Sequence, residues 1–353
     1  MNTIIKSDKL RNFAEKVGVS AGLSPEDAFI LADSLVFANL RGIDSHGIIR
    51  LPFYIKRLET KGTNIHPNIK VIKEKGGMIH LDGDNGLGQV IGIYASKLAI
   101  KRAKDTGIAY VATNGSSHYG AASYYTYNIA KENMFGISFS NGTSVMAAWG
   151  GAKRVIGNNP FSFASPYKPN QPIVLDIAMS VVAGGKVRLY AKNNKKIPKG
   201  WILDKEGKDT ENPNDLVAGG TLLPFGQHKG YGLAIGIEIL AGVLTGAGMM
   251  GQIPLWIKDM ENSLNIGQCY IAIDISNFID LEAFKERLNW IVKQLKSSPL
   301  SEGSDGIFIP GEIERTIESE RLVDGIPISE EVWDDLTNLS EKYNIGLNDF
   351  LII

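Results

Sequence analysis

Between residues 70 and 180, short apolar runs bounded by glycines alternate with segments of helical period. GIAYVATNG and FGISFSNG are runs of the first kind, whereas ASKLAIKRAKDTG and AASYYTYNIAKENMFG carry apolar residues at helical spacing. Strands and helices that are mixed along a chain favour an α/β fold over separate helical and strand-rich units. This alternation therefore predicts a large domain built on a mixed sheet.

The two ends of the chain have a more helical pattern. The first 40 residues predict helices, and Ser24-Pro25-Glu26-Asp27 is a start signal with a capping serine, a proline and two acids. A second helix is predicted over residues 45–60, ended by Lys61-Gly62. After residue 309 we expect a loop followed by one polar helix.

Residues 184–220 interrupt the strands and helices. They are polar and rich in turn residues, which predicts a lid-like excursion. Residues 231–251 approach the roughly 20 apolar residues that a bilayer span needs. Glu238 lies inside that stretch and would cost about 3 kcal/mol in lipid, so we expect a helix buried inside the protein rather than a membrane span.

Charge and cysteine content exclude several kinds of partner. A net charge of −1 provides no positive field for nucleic acid or an anionic membrane, so small molecules are the expected partners. Cys269 is the only cysteine, which excludes an intramolecular disulfide and fits a reducing compartment. The first residues carry no apolar segment before a cleavage site, so we expect a cytoplasmic protein.

The segment RGIDSHGIIRLPFY, residues 41–54, carries the strongest local signal. A helix here would place His46, Arg50 and Tyr54 on one face, because they are four residues apart. An imidazole can take a hydroxyl proton near neutral pH and a guanidinium can bind a carboxylate bidentately, as 2-hydroxy acid oxidation requires. A structural interpretation stays open, with Ser45 as a helix cap and the other groups in ordinary surface contacts.

A second histidine, His118, ends a predicted strand in NGSSHYG, just before a helix. Loops that leave strands at a helix start often hold the functional groups of α/β proteins, although a histidine there can also cap the turn. His66 and His80 have no such companions and are expected to be structural.

Cofactor phosphates need backbone donors at a helix start and room for close approach. PFGQHKGYG, residues 224–232, supplies both and Lys229 adds positive charge, although such a helix start can also exist for packing alone. One G-x-G-x-x-G occurs at residues 246–251, but it trails an apolar helical run rather than following a strand. Any dinucleotide is therefore expected to bind without a Rossmann turn.

Hydrolysis and metal catalysis are the rival classes. Serines precede His46 and His118 directly, yet no G-x-S-x-G elbow is present and sequence neighbours rarely point together. The histidines form no H-E-x-x-H or H-x-x-x-H pair, so no metal site is expected.

Seven ordered blocks together resemble the malate/L-lactate dehydrogenase family, which lacks a Rossmann fold and includes ureidoglycolate, sulfolactate, diketogulonate and cyclic-imine enzymes. The blocks are RGIDSHGIIRLPFY, NGSSHYGAASYY, GGAKRVIGNNPFSFASP, LDIAMSVVAGGKV, IPKGWILDKEG, LLPFGQHKGYGLAIGIEILAGVLTGA and IFIPGEIE. This resemblance implies a homodimer with the site near the subunit interface. It also implies a hydride transfer between NAD or NADP and a small malate- or lactate-like 2-hydroxy acid or its 2-keto acid. The other substrates of the family, and a nucleotide-binding protein without catalysis, remain alternatives.

The resemblance also implies a division of the chain and a set of site residues. A mixed-sheet cofactor domain is expected over residues 71–284, and a smaller helical domain that contributes to the substrate site over residues 1–70 and 285–353. His46 and His118 are both candidates for proton transfer, Arg50 for binding the carboxylate, and Ser45 and Tyr54 for assisting them. The expected cofactor contacts are Gly142, Leu175, Asp176, Ile177, Ala178, Met179, Ser180, His228, Lys229, Gly311, Glu312 and Ile313.

Two of these expectations stay open. Asp176 could orient an imidazole instead of contacting the cofactor. Gln227 stands where the family often has glycine, and LDIAMS stands where a DMATS-like string is common, so the choice between NAD and NADP is not determined.

Overall fold

The computed structural model describes residues 3–346. The helices are α1 (Ser7–Ser20), α2 (Pro25–Leu40), α3 (Leu51–Glu59), α4 (Gly88–Thr106), α5 (Ser123–Lys131), α6 (Gly184–Lys192), α7 (Asn214–Val217), α8 (His228–Ile237), α9 (Leu281–Lys296), α10 (Glu312–Asp324) and α11 (Glu330–Tyr343). The strands are β1 (Thr3–Ile5), β2 (Lys70–Lys75), β3 (Met78–Asp82), β4 (Ile108–Ser116), β5 (Met134–Ser140), β6 (Ser144–Ala147), β7 (Arg154–Gly157), β8 (Phe161–Lys168), β9 (Gln171–Ile177), β10 (Ile202–Leu203), β11 (Thr221–Leu222), β12 (Ile266–Asp274) and β13 (Ile326–Ile328).

The main sheet has seven strands in the order β2-β3-β4-β12-β5-β8-β9. Strands β3 and β4 run parallel, and the other neighbours in this sheet are antiparallel. A Rossmann sheet is mostly parallel and has a different strand order. The mixed α/β fold of non-Rossmann topology that the sequence predicts is therefore confirmed.

Successive residues of the central strands face two different hydrophobic cores, because side chains alternate along a strand. Val111 and Tyr270 contribute to the core that α4, α5 and the N-terminal helices cover. Their neighbours Ala112 and Cys269 contribute to the core that α8 covers on the opposite face. The sheet therefore separates the N-terminal helices from the glycine-rich helix α8.

The start of α2 is confirmed, since the Ser24 side chain accepts a hydrogen bond from Asp27 N. The single helix predicted over residues 45–60 is wrong in its first half. Two 3₁₀ turns, Asp44–His46 and Ile48–Arg50, are separated by extended backbone before α3 begins. The cause is Asn39, whose Oδ1 accepts from Ile48 N at 2.7 Å. That side chain lies 2.3 Å from where a Cβ on residue 47 would be, so only glycine fits there.

The two ends of the described chain meet. Strand β1 pairs with β13 in an antiparallel ribbon, and α11 packs against α1 and α3. The prediction of one helix after residue 309 is wrong, because Gly325 at φ 94° and the following β13 separate α10 from α11. The end of the predicted polar helix, residues 347–353, lies outside the described residues.

Residues 228–243 form α8 and a continuing π-helical turn, Glu238–Val243. The prediction of a buried helix holds for one side only. Ala234, Ile237 and Ala241 face the core, whereas several apolar side chains of the opposite side are about half exposed or more: Leu233, Ile239, Val243 and Leu244. No helix within residues 3–346 has the length and apolar character that crossing a membrane would take.

Residues 184–220 have more regular structure than the turn-rich pattern indicates. They contain α6, β10 and α7, and β10 joins a second sheet of order β10-β11-β6-β7. Val187, Ile197 and Leu216 are buried in the core beneath α8. The segment therefore packs on the sheet domain through a few buried apolar residues.

Candidate active site

Two imidazoles lie together at the junction between the N-terminal helices and the end of β4. The rings of His46 and His118 are stacked, with centres 5.8 Å apart and planes 15° apart. Each Nδ1 has a hydroxyl partner: Ser45 Oγ lies 2.9 Å from His46 Nδ1, and Tyr54 Oη lies 2.6 Å from His118 Nδ1. This arrangement leaves the Nε2 atom of each ring for a further partner.

Arg50 lies beside the imidazole pair. Its Nε donates to Ser45 O at 2.6 Å, and its guanidinium carbon lies 5.4 Å from the centre of the Trp256 ring. That ring in turn stacks on His118 with centres 4.3 Å apart. No carboxylate within residues 3–346 pairs with Arg50, so the terminal nitrogens of its guanidinium are available to an anion.

Burial and positive charge control the protonation of this cluster. Burial, followed by the charge of Arg50, lowers the pKa of His46 to about 4. Burial, then His46 and Arg50, hold the pKa of His118 well below its usual value. Burial raises the pKa of Tyr54, although the charge of Arg50 opposes the shift. Both imidazoles are therefore neutral at pH 7 in the free protein.

Trp256 is a site residue that the sequence interpretation missed. It lies on a loop about 200 positions from Arg50 and stands alone, without a motif or a periodic pattern that would single it out. Buried Arg57 holds this loop, because its guanidinium donates to the carbonyl oxygens of Asp259, Asn262 and Gly62.

Asp176 lies at the end of β9, where its Oδ2 accepts a hydrogen bond from Ser123 N at 2.8 Å at the start of α5. Burial raises its pKa, and the hydrogen bond from Ser123 opposes the shift. The imidazoles are held by hydroxyls instead, so the alternative in which Asp176 orients an imidazole has no support in these contacts.

The end of β9 and the start of α8 are brought together. Met179 O accepts from Phe225 N at 3.0 Å, and Ser180 forms a β-bridge with Pro224. A Cβ on residue 230 would lie 2.8 Å from Met179 O, so glycine permits this contact. His228 and Lys229 therefore lie exposed at a helix start directly beside residues 179–180.

Gln227 immediately before α8 has φ 59° and ψ −115°, a conformation that glycine adopts much more easily than glutamine. The departure from glycine noted in the sequence therefore coincides with backbone strain at the helix start.

The remaining expected cofactor residues are more dispersed. Leu175, Ile177 and Ala178 are half-buried along the end of β9. Gly142 joins this region indirectly, because it packs against Gly157 and the next residue, Asn158, accepts a hydrogen bond from Met179 N. Gly311 packs on Val174 at the sheet edge, and Glu312 is held by Lys296 and the amide of Ile309. Neither of these hydrogen bonds of Glu312 reaches His228 or Lys229.

The donor set fits a nicotinamide dinucleotide. The exposed side chains of His228 and Lys229 suit a phosphate, and a Cβ on residue 142 would meet no atom within 4 Å. Next to His118, the buried hydroxyl of Ser117 has no hydrogen-bond partner among residues 3–346. Because buried polar groups are normally paired, this hydroxyl suits a polar ligand.

Two neutral imidazoles beside a guanidinium without an acidic partner can exchange a proton with a substrate anchored by its carboxylate. With the exposed His228 and Lys229 side chains at the start of α8, this arrangement fits the class of nicotinamide-dependent oxidoreductases that act on acids.

Comparison with known proteins agrees with that class. The model of the malate/L-lactate dehydrogenase family matches residues 5–337. The chain is 40% identical to malate dehydrogenase of Pyrococcus horikoshii, over 97% of this chain and 96% of that protein. It is 36% identical to L-sulfolactate dehydrogenase of Methanocaldococcus jannaschii, over 99% of both. The crystal structure of malate dehydrogenase from Entamoeba histolytica has a TM-score of 0.94 at 31% identity, over 98% of this chain and 99% of that one.

The chain belongs to the malate/L-lactate dehydrogenase family. It is therefore a hydroxy acid dehydrogenase that uses NAD or NADP, which confirms the class predicted from the sequence blocks.

Proposed function

We propose that the protein interconverts a small malate- or lactate-like 2-hydroxy acid and its 2-keto acid, with His46 or His118 transferring the proton and Arg50 binding the carboxylate. The stacked imidazoles beside the Arg50 guanidinium, which has no acidic partner among residues 3–346, carry this proposal. A 2-hydroxy acid needs both groups at once, because its carboxylate must be held while its neighbouring hydroxyl loses a proton.

Arg50 binds the C1 carboxylate of the substrate through its terminal nitrogens and so fixes the position of C2. In oxidation, Nε2 of His46 or His118 takes the hydroxyl proton as C2 becomes a carbonyl; in reduction it returns that proton. Ser45 and Tyr54 fix the orientation of the two rings through their Nδ1 atoms. A bound nicotinamide would supply the hydride acceptor for oxidation at C2 and the hydride donor for reduction.

Residues 175–180, His228 and Lys229 are proposed to hold the cofactor, with Gly142 leaving room for it. The exposed Lys229 side chain at the start of α8 supplies charge for the phosphates. Gly311, Glu312 and Ile313 are proposed to contact the cofactor from the sheet edge at Val174.

The test follows nicotinamide absorbance with NADH or NADPH and a panel of 2-keto acids and cyclic imines, and with ureidoglycolate in the oxidative direction.

Arg50→Met is expected to raise KM for the acid at least tenfold while KM for the cofactor changes less than threefold, since it removes a charge-assisted anchor. Arg102→Met is the matched control, because Arg102 contacts Gly76 O and Glu74 on the surface. No turnover on the whole panel, or equal losses for acid and cofactor in Arg50→Met, would contradict the proposal. Cofactor binding without turnover would instead favour a nucleotide-binding protein.

We also propose that the protein acts as a homodimer in the cytoplasm. The exposed apolar side chains of α8 and its π-helical turn support a second copy as their cover. A single free, buried cysteine supports a reducing compartment.

A further inference from the structure

The start of α6 reaches the substrate side of the site. A Cβ on Gly185 would lie 3.5 Å from Ser45 Cβ, so this end of α6 packs against the turn that carries His46. Arg188 follows Gly185 by three residues and therefore lies on the same side of the helix. The segment 184–220 thus brings a second arginine towards Arg50.

The charge of Arg188 has no acidic partner. Among residues 3–346 no carboxylate pairs with Arg188, which is exposed at the surface of the site. Burial lowers the pKa of Arg50, Tyr54 opposes this shift, and the charge of Arg188 lowers the pKa further, so the two guanidinium groups repel each other. Nearby Arg154 differs, because its guanidinium donates to the carbonyl oxygens of Gly220 and Leu216.

We propose that the substrate carries a second anionic group and that Arg188 binds it while Arg50 binds the C1 carboxylate. This inference rests on the proposed function of the same site. A dianionic 2-keto acid pairs both guanidinium groups and removes their mutual repulsion, whereas a monoanion leaves one of them unpaired. Arg188 is therefore a specificity-determining residue for acids with a terminal carboxylate or sulfonate.

Lys186 on the same helix provides the matched control. Its ammonium lies 5.5 Å from the centre of the Trp201 ring, which keeps it in a contact of its own. Lys186→Met and Arg188→Met each remove one exposed positive charge from α6. Because both side chains are exposed, both variants are expected to keep the thermal midpoint of the parent.

The experiment measures kcat/KM for oxaloacetate and for pyruvate, together with KM for NADH and NADPH. The parent is expected to prefer the dianion, and Arg188→Met to lower kcat/KM for oxaloacetate about 10- to 100-fold with less than threefold change for pyruvate. Lys186→Met should leave the ratio unchanged. A parent that prefers pyruvate, or equal losses on both substrates, overturns the assignment. A change confined to KM for NADPH assigns Arg188 to a cofactor phosphate and also overturns it.

A binding measurement separates this inference from the proposed function. Succinate has two carboxylates but no reacting oxygen at C2, and propionate has one carboxylate. Succinate is expected to raise the thermal midpoint of the parent more than propionate does, and Arg188→Met should abolish the difference. A parent that turns over 2-keto acids but shows no such difference refutes the Arg188 assignment alone. A parent that binds succinate through Arg188 but turns over no acid of the panel refutes the proposed function alone.

Discussion

At the scale of single residues, the site combines buried imidazoles with a nearby fixed charge. His46 and His118 are neutral at pH 7 because burial and Arg50 disfavour their charged forms. Neutral rings are ready to accept a proton in oxidation. An anion bound to Arg50 offsets its charge, so substrate binding raises the pKa of both rings towards the pH at which they can also donate.

The low pKa of His46 predicts a loss of stability in mild acid. The unfolded chain binds a proton at this ring near pH 6.5, whereas the folded chain does so only near pH 4. The unfolded state therefore holds more protons between pH 6.5 and 4, and the free energy of unfolding decreases as the pH falls through that window. Thermal midpoints from pH 8 to 4.5 measure this effect, and His46→Gln should make the slope smaller.

His66→Gln is the control, because His66 is exposed and lies outside the site. Its slope should equal that of the parent. An unchanged slope in His46→Gln would show that His46 is not held neutral by burial.

At the scale of elements, two irregular segments form the site where regular ones would not. The 3₁₀ turns at residues 44–50 direct His46 and Arg50 towards β4, and the loop at residues 256–262 covers His118 with Trp256. Arg57 links the second segment to α3 through backbone carbonyls. The position of Trp256 therefore depends on a buried guanidinium outside the imidazole cluster.

Arg57→Lys tests this link. A lysine keeps the charge but lacks the planar set of donors that reaches several carbonyl oxygens, so we expect a loss of about 1–3 kcal/mol in unfolding free energy. We also expect a lower kcat, because the cover on His118 loosens. Trp256→Phe should lower kcat with a smaller loss of stability. A parent-like kcat in both variants would remove this loop from the site.

At the scale of the whole molecule, one sheet separates two cores, and the outer face of the second core is apolar. Leu233, Ile239, Val243 and Leu244 are about half exposed or more along α8 and its π-helical turn. Monomeric proteins rarely expose contiguous apolar patches of this kind. The helix start that carries His228 and Lys229 belongs to the same element, so a partner copy on this face would lie near the proposed cofactor site.

The dimer makes a direct prediction about mass in solution. Light scattering should give about twice the chain mass of 38.4 kDa for the parent. Leu244→Glu should shift the protein towards a monomer, because it buries a charge in the interface. Val217→Glu, at an even more exposed apolar residue of α7, serves as the control and should remain a dimer. A monomeric parent would exclude the proposed assembly.

The sequence alone determined the mixed sheet, the start of α2 and the choice of His46, Arg50 and His118 as candidates. These features are local: strand and helix periods, caps and short motifs depend on residues within a few positions of one another. The seven sequence blocks that resemble the malate/L-lactate dehydrogenase family then indicated the class of reaction. The same reliance on local spacing produced the wrong helix over residues 45–50. The apolar spacing there predicts a helix, whereas Asn39 holds Gly47 in an extended conformation.

The distant residues that meet in the site are brought together by the folding of the whole chain. The stacking of His46 on His118, the cover by Trp256 and the approach of Arg188 join segments about 70 to 200 positions apart. The exposed side of α8 likewise depends on which face the sheet covers. Such contacts follow from strand order and packing of the whole chain, and no local pattern of residues specifies them.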